Sequence, residues 1–86
     1  MQIGSVVYSR QGRDEGRAYL VIGTADKEGY VWVADGEVRT LAKPKKKNAK
    51  HLRYKGEDLA ALAAKLNEGK QVFDSEIKSA LRAYAK

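Results

Sequence analysis

Between Arg39 and Lys55 the chain carries eight basic side chains (Arg39, Lys43, Lys45, Lys46, Lys47, Lys50, Arg53 and Lys55) and no Asp or Glu. Cations at this density attract polyanions, because each phosphate they neutralise releases condensed counterions. The whole chain has 17 Lys or Arg against 11 Asp or Glu, a formal net charge of +6. Taking the eight from 17 leaves nine basic residues facing all 11 acids elsewhere, so the positive excess is entirely local. A solvated loop, a targeting signal or contact with an anionic membrane would use the same lysines. Membrane attachment also calls for a lipid anchor or a basic amphipathic helix, and Met1-Gln2-Ile3-Gly4 has no glycine at the second position for myristoylation. Phosphate binding is favoured, since the run lies within a folded pattern and contains no acid.

Further candidates lie near the N-terminus, where Arg10, Arg13 and Arg17 flank Gly12 and Gly16. The glycines suit a turn or bulge, and a loop without side-chain bulk also lets backbone N–H groups approach a sugar-phosphate chain. The arginines suit bidentate phosphate contacts, with solvated surface residues as the competing account. Asn48 is read as a turn residue or as a base or sugar contact, and His51 as a residue that packs at the sheet rim or stacks on a base. A single histidine in a chain with no cysteine supplies neither a metal set nor half of a catalytic pair. No P-loop, nucleophile elbow or deaminase pattern occurs, so neither an enzyme nor a cofactor is expected.

The elements that must hold these residues follow from periodicity. At 86 residues, 43% hydrophobic and 33% charged, the chain has the composition of one small globular domain. Short runs rich in β-branched and aromatic residues predict strands at about Ser5 to Ser9, Ala18 to Thr24 and Tyr30 to Val33. Asp26 to Gly29 reads as a polar turn. Asp35-Gly36 predicts a tight hairpin returning through Val38 to Leu41 as a fourth strand. Pro44 makes the lysine run a loop or strand edge, and His51 to Arg53 is the candidate closing strand. Leu59, Leu62, Ala63 and Leu66 fall at helical spacing, as do Ile77, Ala80, Leu81 and Tyr84 after a cap at Asp74 or Ser75. Those helices need an apolar surface, which places Trp32 beneath one of them. The alternative sets Tyr30 and Trp32 outward as a platform for bases.

The loop from Val6 through Arg10-Gln11-Gly12-Arg13-Asp14-Glu15-Gly16-Arg17 resembles the KOW motif of ribosomal proteins and transcription elongation factors. Lys43-Pro44-Lys45-Lys46-Lys47-Asn48-Ala49-Lys50-His51-Leu52 is similar to the basic segment of the fourteenth large-subunit ribosomal protein family of archaea and eukaryotes. Asp74 to Leu81 is similar to a helix near that family's C-terminus. Glu15 departs from the usual basic residue before the second glycine and Tyr19 from a glycine, which shifts phosphate affinity toward the lysine segment.

The resemblance implies a mainly β fold with C-terminal helices: an SH3-like (KOW) β-barrel of about five strands and two short amphipathic helices. Residues 1–55 would form the barrel, with the basic segment 39–55, and residues 56–86 a helical extension packed on it. The implied function is RNA binding, to ribosomal RNA above all, with ribosomal proteins as further partners and the cytoplasm or ribosome as location. A monomer is expected, because both helical stripes are satisfied internally. No apolar run is long enough to span a membrane. The alternative is a protein-interaction adaptor in which the Leu59 and Ile77 helices dock a partner.

Overall fold

A computed structural model of the chain describes residues 1–10, 15–25 and 29–84. Gly12, Arg13 and the turn at Asp26, Lys27 and Glu28 lie outside the described residues. The strands are β1 (Ser5–Ser9), β2 (Ala18–Thr24), β3 (Tyr30–Ala34), β4 (Lys45–Asn48) and β5 (Leu52–Asp58). Two helices follow, α1 (Ala60–Asn67) and α2 (Asp74–Leu81). The fold is thus mainly β with C-terminal helices. All five strands join one antiparallel sheet in the order β4-β3-β2-β1-β5.

That order forces the sheet to curl. β4 and β5 lie on opposite edges, yet only a three-residue 3-10 turn, Ala49–His51, separates them in the chain. A flat sheet of five strands would part its edges by roughly 19 Å, whereas three residues of 3-10 helix rise about 6 Å. The edges must therefore approach each other. A bulge at Ile22, where the β2 register with β3 shifts between Val21 and Gly23, adds the required twist. No backbone ladder joins β4 to β5 among the described residues, so the barrel is curled without being closed.

Alternation along the strands gives the sheet two apolar faces. Val7, Tyr19, Val21, Val31, Val33 and Leu52 fill the concave interior. Val6, Tyr8, Ala18, Leu20 and Ala34 form the outer face and receive Leu62 of α1 with Ile77 and Leu81 of α2. Ile77 is fully buried, a contribution of about 2 kcal/mol from its side chain alone. The helical stripes are satisfied by the sheet, as their spacing requires.

The expected strand from Val38 to Leu41 does not form. Asp35 instead uses its carboxylate to organise a loop: Oδ1 accepts the N–H groups of Glu37 (2.9 Å) and Arg39 (2.8 Å). Leu41 donates its N–H to Asp74 Oδ1 at 2.7 Å, which commits the loop to α2. Gly36 sits at φ 80° against α2, where a Cβ would run into the Asp74 carbonyl oxygen and lie 2.8 Å from the Lys78 nitrogen. With those backbone groups satisfied elsewhere, the outer edge of β3 is taken by the lysine run. The cap of α2 also differs from expectation. Phe73 occupies the N-cap position and donates its N–H to Glu76 Oε2 at 2.8 Å, while the Asp74 side chain holds the loop.

Candidate nucleic-acid interface

Lysine is a weak strand former, but edge strands tolerate it, since the outer side needs no apolar neighbour and the charge discourages further strand pairing. β4 shows this pattern. Its register sets Lys45 beside Val33, Lys46 beside Trp32, Lys47 beside Val31 and Asn48 beside Tyr30. Directly paired residues share a face, so Lys45 and Lys47 lie with the interior valines and Lys46 lies on the outer face. The basic run is therefore not one ribbon of parallel ammonium groups. It straddles an edge.

On the interior side, Lys47 carries its Nζ 5.4 Å from the centroid of the Tyr19 ring and 3.5 Å from Ser9 Oγ. Its ammonium group thereby stands between an aromatic ring and a hydroxyl of the sheet. On the outer side, Lys46 Nζ stands 5.0 Å from the centroid of Tyr30. Such cation–π contacts hold an ammonium group in place at about 0.5–1 kcal/mol each when exposed. β4 thus presents lysines at fixed positions on a paired strand.

Other candidates gather around the turn that links β4 to β5. Asn48 caps this turn, its Oδ1 accepting the Lys50 N–H at 3.1 Å, so its side chain is used structurally. Lys50 is exposed and His51 half-buried. Arg10 donates its N–H to the His51 carbonyl at 2.9 Å, which brings the end of β1 beside the turn. Lys43 is exposed in the loop before β4. Arg53 lies on the outer face of β5, 5.7 Å from the Tyr8 ring centroid.

Arg17 behaves differently. Its Nη1 pairs with Asp35 Oδ2 at 2.8 Å. Burial pushes the Asp35 pKa up, but the Glu37 and Arg39 N–H groups and the Arg17 guanidinium outweigh it and hold the carboxyl below its usual value. Arg17 is thereby assigned to holding the loop that leads to β4. Gly16 has φ 85°, as its turn reading requires. An open cleft beside β1 and β5 is lined by Arg10, Arg53 and Tyr54, but also by Glu15, so its walls carry both signs of charge.

Sequence reasoning placed Trp32 beneath a helix, and the structure leaves it 37% exposed on the outer face of β3. The helices pack with Leu20 and Ala34, and Ile22 packs against the same cluster, while Trp32 is not part of it. Among the described residues no group of three or more His, Cys, Asp or Glu is arranged to hold a metal ion, and no helix is long and apolar enough to cross a membrane. No protein-family model matches the chain, and no curated protein matches it.

Proposed function

We propose that this chain is an RNA-binding protein of the KOW-like type, engaging structured RNA, ribosomal RNA foremost, in translation or ribosome assembly. The carrying observation is that the acid-free segment 39–55 runs through a paired edge strand and its corner, so the cations sit on a scaffold instead of a loose tail. Lys45, Lys46, Lys47 and Lys50 are the principal phosphate contacts, with Lys43, Arg10 and Arg53 on flanking positions. Ordered cations lose less side-chain entropy on meeting a phosphate than a disordered run would.

The adaptor reading has less support. Ile77, Leu62 and Leu81, the side chains it would offer to a protein partner, are buried against the sheet.

Titrating labelled RNA at several salt concentrations tests the proposal. With about five to eight phosphates engaged, log affinity falls against log salt with a slope of magnitude roughly 4 to 7. A flat dependence overturns it.

A further inference from the structure

The outer face of the sheet is divided into a half that the helices cover and a half that they do not. Tyr30 and Trp32 stand on the uncovered half, two residues apart on β3 and hence roughly 7 Å from each other along the strand. Trp32 is flanked on β2 by Gly23, its register partner, and on β4 by Lys46. Gly23 places no side chain over the indole, and even a Cβ there would only just reach Trp32 Cδ1, at 3.8 Å. Lys46 stands over Tyr30. The result is two aromatic side chains on a paired strand, with the Lys46 ammonium group over the Tyr30 ring.

Resting on the RNA-binding reading above, we infer that this half-face takes unpaired nucleotides, with a base stacked on Trp32 and the adjoining phosphate against Lys46 beside Tyr30. An indole left 37% exposed in a paired strand presents part of an amphipathic ring to solvent. Nucleobases suit it because every base has a π-face, and stacking needs no particular sequence. A paired helix buries those faces between its own bases and offers the protein only phosphates and hydroxyls. The target class is therefore a single-stranded loop or bulge adjoining helical RNA, with Lys45, Lys47 and Lys50 left for phosphates of the paired part.

Trp32 is the only tryptophan in the sequence, so tryptophan emission, excited beyond the tyrosine absorption, reports on this site alone. The experiment titrates the whole chain at low salt with a short oligoadenylate and, separately, with a fully paired RNA duplex. Stacking quenches the indole, so the single strand quenches and the duplex, read by anisotropy of a label, binds without quenching. Trp32→Ala, read with labelled RNA, weakens single-strand binding about five- to hundredfold and leaves duplex binding unchanged. Trp32→Phe restores most of the loss, which separates stacking from a folding defect, and circular dichroism confirms that both variants fold.

Binding of both RNAs without quenching, and without any effect of Trp32→Ala, overturns the stacking inference while leaving the phosphate-binding proposal standing. Failure of both RNAs to bind the unaltered chain overturns both.

Discussion

The sheet has two edges, and they are protected in different ways. β4 is four residues long and carries three lysines, two of them with their ammonium groups over aromatic rings. β5 is seven residues long, exposed over all but its first residue, and ends in two acids that neighbouring side chains hold. Asp58 accepts from Gln2 (2.7 Å), Ser5 (2.9 Å) and Tyr54 (3.0 Å), and Glu57 accepts from the Tyr84 hydroxyl. The hydrogen bonds from Gln2, Ser5 and Tyr54 lower the Asp58 pKa, while its own bond to Asp58 raises that of Tyr54. The acids of β5 thus fasten the N-terminal segment and the C-terminal turn to the sheet. Charge on β4 is carried on a strand whose outer edge no other strand covers among the described residues. A charged edge strand is therefore not a binding surface by composition alone; what matters is where its charges are directed.

The strongest way to break this comparison is to unseat β4. Gly36→Ala places a Cβ against α2 at a positive φ, and the left-handed penalty and the overlap together cost about 2–5 kcal/mol. The urea midpoint should fall accordingly, and RNA affinity with it.

Neutralising β4 alone separates charge from fold. The combined variant Lys45→Gln, Lys46→Gln, Lys47→Gln removes three phosphate contacts, worth on the order of a hundredfold in affinity at about 0.1 M salt, and lowers the salt slope by about 2 to 3. Circular dichroism should stay unchanged. Asp35→Ala orphans the Glu37 and Arg39 N–H groups and should cost about 1–3 kcal/mol in chemical denaturation.

Acid should act in the same direction as the Asp35 substitution. The depressed Asp35 pKa means that its stabilisation is fully present above the unfolded value of about 4 and is lost as pH falls through the lower folded value. The urea midpoint of the unaltered chain should therefore drop below about pH 4, and the share of that drop due to Asp35 should be missing from Asp35→Ala. The smallest effect belongs to β5, where Lys55→Gln should weaken RNA binding by less than any single β4 lysine. An equal or larger loss would show that both edges bind and erase the distinction.

Much of this arrangement was legible in the residues. Val6, Val7, Leu20 and Val21 read as strands from β-branched and apolar content, and the helices read from Leu59, Leu62, Leu66 and Ile77, Leu81, because burial imposes the periodicity directly. Three features were not. The segment Val38 to Leu41 has better strand residues than Lys45 to Asn48, but the contest was decided by Asp35 and Asp74 capturing its N–H groups, and nothing local signals a partner 33 residues away. Trp32 reads as a core residue by size, and its exposure depends on how far α1 and α2 extend over the sheet. The lysines themselves stood out at once. Their division between two faces required the register with β3, which the sequence does not print.

The pairing of β1 with β5 also sets an order of events during synthesis. Val7 lies opposite Tyr54, and Tyr8 opposite Arg53, so β1 is made early and waits for one of its two neighbours until nearly two thirds of the chain has emerged. Contacts so distant along the chain close slowly, because the intervening loop must be ordered first. A nascent chain that stalls before Leu52 would hold the first four strands with one flank of β1 bare, a short apolar edge open to mispairing with its neighbours on a polysome.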